Sequence, residues 1–437
     1  MGHTGHLKEE YHALLKRFEA SQVSLPEPTD PTAWKGWRDL LEIVFSPEEA
    51  AFASRMPVRP AKLEKVAARM GLTPKQAEPI LDRLCDKGIV MDLVSPRTGR
   101  TKYFLSPPVI GFFEFSFMRA HDMFPKKELA EAMNAYKYKD PAFAMAVFGE
   151  ETVLGRAMVR EEYVAEEVLP DVLPWERATE LIMSADSIGV TMCYCRHQKE
   201  HIGERCDAPE DVCLSLNGGA DFLVRRGFSR KIDRSEAMER LQVAKEHNLV
   251  QIADNVQNKP SYICNCCACC CGQLSAINKY DLHAVNPSGF QPVVDDELCK
   301  GCSRCSRACP VTAISMKGVR QTANRKNDLR PEVDRDRCIG CGVCADVCRK
   351  DAVDMERTEV KPYVSRDSVE RTVRMCLERG RLPHLLFDEG ESRGARFLNR
   401  AIQVLQRMPG TQRALASKQV KSRFLRRVLD QVPDPSR

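Results

Sequence analysis

Cys299-Lys300-Gly301-Cys302-Ser303-Arg304-Cys305-Ser306-Arg307-Ala308-Cys309-Pro310 and Cys338-Ile339-Gly340-Cys341-Gly342-Val343-Cys344-Ala345-Asp346-Val347-Cys348-Arg349 are two copies of one pattern, C-x2-C-x2-C-x3-C. From Cys299 to Cys338 the offset is 39 residues, and it holds outside the cysteines. Val294-Asp295 corresponds to Val333-Asp334, Gly301 to Gly340, and Ala313-Ile314-Ser315-Met316 to Ala352-Val353-Asp354-Met355. Three cysteines at two-residue intervals form a tight loop that can close on one face of a cubic metal cluster, with a fourth ligand arriving from elsewhere. Gly301 and Gly340 let backbone N–H groups turn toward the sulfurs. The residue after the last cysteine differs, Pro310 in one copy and Arg349 in the other. Zinc ribbons, the other use of so many cysteines, want pairs of C-x2-C rather than four-cysteine runs.

The two runs resemble those of the bacterial dicluster ferredoxins. The resemblance implies a ferredoxin-like βαβ repeat over 291–360 carrying two 4Fe-4S clusters, each completed by the last cysteine of the other run. Cys299, Cys302, Cys305 and Cys348 would hold one cluster, and Cys338, Cys341, Cys344 and Cys309 the second. A redox partner, an oxidoreductase or flavoprotein, would give or take the electrons. More loosely, the chain resembles multidomain ferredoxin-domain proteins of anaerobic bacteria, which join such a domain to a cysteine-rich region upstream.

That upstream region, placed at 111–290 and expected to be mostly helical, holds ten more cysteines. Cys193-Tyr194-Cys195-Arg196-His197 continues to His201, Cys206 and Cys213, and Cys264-Asn265-Cys266-Cys267-Ala268-Cys269-Cys270-Cys271 packs six cysteines into eight positions. Cys264, Cys267 and Cys270 repeat the two-residue interval, as do Cys266 and Cys269, which points to a third iron-sulfur cluster. Zinc is the rival reading, held by Cys193, Cys195, Cys206 and Cys213 or by a mixture with His197 and His201. The two histidines stand at i and i+4, so a helix would put them on one face. A catalytic thiolate is a third reading, since Arg196, His197 and Lys199 would lower a neighbouring thiol pKa.

The remainder of the chain frames these sites. The fold expected is a multidomain α+β chain. Residues 1–40 read as a polar helical extension and 41–110 as a segment resembling a winged helix. Its helices fall at 46–55, 61–70 and 74–88, with Thr73 as N-cap and Pro74 at the first helical position. Strands at 89–94 and 101–105 follow, turned at 96–100. The helix that would enter a DNA groove offers Lys75, Gln76 and Arg83 but also Glu78, Asp82 and Asp86, with Pro79 inside it. That mixture favours protein docking over DNA. Residues 361–437 form a helical, basic tail; its stretch 413–432 suits packing on its own protein, contact with an acidic partner or peripheral contact with an anionic membrane. Cys85 and Cys376 stand alone and read as packed apolar residues.

Composition bounds the function. A charged fraction of 29% and a hydrophobic fraction of 43% suit a folded globular chain, and the net charge of +5 is too mild to imply nucleic acid. The longest apolar run, 109–118, is too short to span a membrane. The first ten residues lack the apolar stretch of a secretory signal, so a reducing cytoplasm is expected, where clustered cysteines bind metal rather than pair as disulfides. No G-x-G-x-x-G fingerprint is present, so nucleotide chemistry belongs to a partner. An electron-transfer component follows from these features. A redox-sensing DNA-binding regulator and an oxidoreductase centred on the ten central cysteines are the alternatives.

Overall fold

The computed structural model describes residues 7–118, 123–165, 168, 171–318 and 329–386. The tail segments 396–407 and 413–432, expected to be helical, lie outside the described residues. The chain divides into two compact units, Met1–Thr152 with Ser368–Arg437, and Val153–Asp367.

In the first unit, α1 (Glu9–Phe18), α2 (Pro31–Val44) and α3 (Pro47–Ala53) precede β1 (Ala61–Lys62), α4 (Leu63–Met70), α5 (Pro74–Asp86), β2 (Val90–Val94) and β3 (Thr101–Leu105). Then come α6 (Phe113–Met118), α7 (Lys126–Tyr138) and α8 (Ala142–Phe148). The helix starts are encoded locally. Asp30 accepts from the N–H groups of Thr32 and Ala33, both at 2.9 Å, and Ser46 and Glu49 cap α3 reciprocally. At α5 the Gln76 Oε1 accepts the Thr73 N–H at 3.0 Å, and Pro74 occupies the first turn where no N–H is needed. The strands form an antiparallel sheet ordered β1-β3-β2, with Val90 opposite Leu105. Phe18, Phe45, Phe112, Phe113 and Phe143 make a continuous aromatic core through ring contacts of 5.1 to 6.3 Å. Cys85 lies on the buried face of α5 with no exposed surface.

The second unit carries every cysteine but Cys85 and Cys376. Its first part runs β4 (Gly155–Ala157), α9 (Ala178–Met183), β5 (Ile188–Thr191), α10 (Tyr194–Glu200), β6 (Cys213–Leu216), α11 (Asn217–Arg225), β7 (Arg230–Lys231), α12 (Arg234–Glu246), β8 (Val250–Asp254), β9 (Tyr262–Cys266), α13 (Gly272–Tyr280) and β10 (Val285–Asn286). The strands form one sheet ordered β10-β4-β8-β9-β6-β5-β7, antiparallel except for the β10–β4 pair. The expectation of a mostly helical region at 111–290 is therefore corrected. Strands β5, β6 and β8 are buried at every position. A strand covered on both faces loses the alternation that marks strands in a sequence, and a short apolar run cannot be told from a helix by period alone. Leu181, Ile188, Val190, Leu214, Leu241 and Ile263 fill the core between sheet and helices.

Continuing in the same unit are β11 (Phe290–Val294), α14 (Arg304–Ala308), β12 (Ile314–Gly318), β13 (Leu329–Val333), α15 (Val343–Asp346) and β14 (Val353–Arg357). β11 pairs antiparallel with β14, and β12 with β13. After this unit, α16 (Ser368–Glu378) and α17 (Leu382–Leu386) belong to the first one, where the Glu378 carboxylate accepts from the N–H and hydroxyl of Thr152 at 2.9 and 2.7 Å. Cys376 on α16 is fully buried, which pushes its thiol up to about 12. Among the described residues no helix is long and apolar enough to cross a membrane.

Candidate metal centres

The duplicated sequence produces duplicated geometry. Asp295 and Asp334 each end a strand and start a cysteine loop. The Asp295 carbonyl accepts the Cys299 N–H at 3.0 Å, and its Oδ1 accepts from Glu297 and Leu298 at 2.7 and 3.0 Å. Asp334 does the same for Cys338 at 3.0 Å and for Asp336 and Arg337 at 3.1 and 3.2 Å. These Asx turns hold the loop open for a ligand. The halves are also tied crosswise, because the Asp295 N–H donates to Ala352 and the Asp334 N–H to Ala313, at 2.9 and 2.8 Å. In each loop the glycine after the first cysteine is left-handed, φ +66° at Gly301 and +67° at Gly340. Only glycine takes that conformation freely. A Cβ on Gly340 would also lie 2.2 Å from the Phe290 carbonyl oxygen.

The two runs meet at the sulfurs. Cys299, Cys302 and Cys305 of the first run and Cys348 of the second line one cavity of about 190 Å³, with Lys300, Arg304, Arg349 and Lys350 at its wall. Cys338, Cys341 and Cys344 lie within electrostatic reach of Cys309. The fourth cysteines accept backbone donors, Ala313 N–H to Cys309 Sγ at 3.2 Å and Ala352 N–H to Cys348 Sγ at 3.4 Å. Such donors stabilise charge on cluster sulfurs. The two sites differ in exposure. Cys302 is exposed, whereas Cys341 and Cys344 are buried, which pushes Cys341 up to about 12.

Among the ten central cysteines, four sulfurs converge. Cys206, Cys267, Cys269 and Cys270 bring their sulfurs within 4.8 Å of one another. Cys206 is 3.6 Å from Cys267 and 3.9 Å from Cys270, and Cys270 is 3.7 Å from Cys269. A tetrahedral metal with bonds of about 2.3 Å sets its sulfurs about 3.8 Å apart. The set therefore fits one tetrahedral ion. Ligands of a cubane each bind a different iron and stand farther apart than this. The Cys267 thiol is brought down to about 5 by hydrogen bonds from Cys270, helped by the Arg196 guanidinium, whose Nη1 is 3.7 Å from its sulfur. Burial and the neighbouring Cys267 push Cys269 up to about 12, so the four cannot all ionise without a cation among them.

Of the other six, Cys193, Cys195 and Cys213 share a buried cluster with Cys270, against which Cys206 and Cys267 pack, and Cys264, Cys266 and Cys271 lie outside the four-thiol set. The three-residue repeat Cys264, Cys267, Cys270 is thereby divided. Cys264 lies in strand β9, where Cys264 and Cys266 share a face, and Cys267 lies in the turn beyond the strand. Cys206 joins the four-thiol set while packing against the cluster of Cys193, Cys195 and Cys213. His197 and His201 lie on and just after α10, with their Nε2 atoms 3.1 Å apart, and neither joins the four-thiol set.

Two polar side chains place these groups: Arg196, expected from the sequence only as a neighbour that lowers a thiol pKa, and Asn265, which the sequence does not mark. Arg196 is completely buried, and its Nη1 and Nη2 donate to the Asn265 carbonyl at 3.2 Å. Asn265, also fully buried, donates its side-chain N–H to the Val212 carbonyl at 2.5 Å and so ties β9 to the loop before β6. A lone polar residue between cysteines is the only hint of that role in the sequence.

No curated protein and no solved structure matches the chain. Residues 298–363 match a family model described as a 4Fe-4S dicluster domain, and this segment is an iron-sulfur, ferredoxin-like domain.

Proposed function

We propose that the protein is an electron-transfer component. It carries two 4Fe-4S clusters and one further metal centre, and it exchanges electrons with a partner oxidoreductase or flavoprotein in the cytoplasm. The observation that carries the reading is the cavity lined jointly by Cys299, Cys302, Cys305 and Cys348, drawn from both runs. Such sharing supports crosswise ligation, and the same pattern assigns Cys338, Cys341, Cys344 and Cys309 to the second cluster. The elements β11-α14-β12 and β13-α15-β14 are then the two βαβ halves of a ferredoxin-like repeat. When bound, each cluster supplies a one-electron carrier. The chain's own part is to hold the thiolates, donate N–H groups to sulfur and control exposure.

The exposed Cys302 makes the first cluster the port for electrons. Lys300, Arg304, Arg349 and Lys350 around it would attract an acidic partner. The further centre is the tetrahedral site of Cys206, Cys267, Cys269 and Cys270. It takes a single zinc or iron ion in place of the third cubane that spacing suggests. Helices α3, α4 and α5 with the β1-β3-β2 sheet form a winged helix that serves as a protein-docking module. The exposed side of α5 mixes Lys75 and Arg83 with Glu78, a poor match to a phosphate backbone.

Crosswise ligation is tested with Cys348→Ser. The variant should lose the signal of the cluster held by the first run and keep that of the second. Loss of the second-run cluster instead would sink the assignment.

A further inference from the structure

Arg160 is among the largest fully buried side chains, and it stands against the second cysteine run. Its backbone N–H donates to the Cys341 carbonyl at 3.3 Å. Gly342 makes room for it: the backbone there is left-handed, φ +81°, and a Cβ would lie 3.1 Å from the Arg160 Cβ. The guanidinium is divided between two elements. Nη1 pairs with Asp346 Oδ2 at the end of α15, while Nη2 donates to the carbonyls of Lys245 and Leu249, in the last turn of α12 and just beyond it, at 3.2 and 3.4 Å. The next turn brings in Tyr163, whose hydroxyl donates to the other Asp346 oxygen at 2.7 Å. Glu162, between them, pairs with Lys245. The buried Arg160 Nε has no hydrogen-bond partner among the described residues.

Burying a guanidinium is costly, so its place beside one cysteine loop calls for a reason. The duplication shows that the loop itself does not require it. At the offset of 39 residues Asp346 corresponds to Arg307, Gly342 to Ser303 and Cys341 to Cys302. Arg307 is exposed and reaches the Cys302 carbonyl at 3.4 Å. The first run has a buried arginine of its own, Arg330, but its fork holds the Cys299 and Asp296 carbonyls at 2.8 and 2.7 Å, and its ion pair is with the exposed Asp296. Cys341 and Cys344 are buried, so a charge beside them is weakly screened. Cluster potential responds to nearby charge, to hydrogen bonds and to exposure. We infer that Arg160, with Asp346 as its counter-charge, sets the reduction potential of the second-run cluster. The cation favours the reduced, more negative cluster, and the carboxylate opposes it. Arg160 is a positioning residue that acts through its field and its hold on the loop, and it lies 186 residues before Asp346, outside the ferredoxin-like segment. The inference rests on the assignment of Cys338, Cys341, Cys344 and Cys309 to a 4Fe-4S cluster.

A redox titration of the full-length protein followed by EPR tests this, with Cys348→Ser identifying the second-run signal as the one that remains. In Arg160→Met, the reduced-to-oxidised ratio of that cluster at the wild-type midpoint should fall about tenfold, a downward shift of about 59 mV for one electron. In Asp346→Asn the ratio should rise. The first-run midpoint should stay unchanged in both variants. Arg160→Met also takes two hydrogen bonds from the end of α12, and a loosened loop would shift the midpoint too. Asp346→Asn leaves those bonds in place, and the double variant should return toward the wild-type midpoint, which loosening would not produce. An unmoved second-run midpoint in Asp346→Asn, shifts of the same sign in the two single variants, or equal shifts of both clusters would overturn the inference. Wild-type protein without the signal that Cys348→Ser retains would contradict the two-cluster reading itself, and the inference with it.

Discussion

Gly340 shows how much of the site rests on single backbone positions. Its φ of +67° is costly for any residue with a Cβ, and that Cβ would sit 2.2 Å from the Phe290 carbonyl. Gly340→Ala should therefore destabilise the loop by about 1–3 kcal/mol. The expected readout is early loss of the second-run cluster in a thermal scan followed at the cluster absorbance. An unchanged scan would show that the loop can move aside. Asp295 and Asp334 are the counterpart in side-chain chemistry. Their matching positions in the duplication are visible in the sequence, but their role in opening the cysteine loops is not, because an Asx turn depends on where the following N–H groups point.

At the level of elements, the iron-sulfur, ferredoxin-like character of residues 298–363 was legible. Its ligand spacing, its duplication and its left-handed glycines are all local features. The central sheet was not legible, because β5, β6 and β8 are buried on both faces and carry no period. That failure also hid how the ten cysteines divide. Counting along Cys264 to Cys271 suggests a cubane loop, but the chain leaves the strand at Cys267, so Cys267, Cys269 and Cys270 converge with Cys206 while Cys264 stays in β9. Thiol ligands would also make the proposed four-thiol metal acid-sensitive. Burial and the neighbouring Cys267 push Cys269 up to about 12, and the hydrogen bond with Cys267, with burial, holds Cys270 well above the ordinary range. Metal must displace their protons, so affinity rises with pH and falls on acidification, about tenfold per pH unit for each proton displaced. Zinc release to a chromophoric chelator should be markedly greater at pH 6 than at pH 8. A pH-independent release would mean that the thiols are not the ligands.

Across the whole molecule, the ferredoxin-like segment and the central cysteines belong to one compact unit, while the helical segment with the small β1-β3-β2 sheet belongs to the other. With a cluster on each run, as proposed, the exposure difference between Cys302 and the buried pair Cys341 and Cys344 would leave one cluster facing a partner and one facing inward. Replacing Lys300, Arg349 and Lys350 together by Glu should slow reduction of an acidic acceptor by about tenfold or more at low ionic strength, with the difference shrinking as salt is added. A salt-independent rate would place the port elsewhere. The account stands most directly on cluster content. Anaerobically prepared protein should contain about eight iron atoms and about eight labile sulfides in its two clusters, with two reduced-cluster EPR signals. Near four iron atoms with a single signal, or iron without labile sulfide, would contradict it.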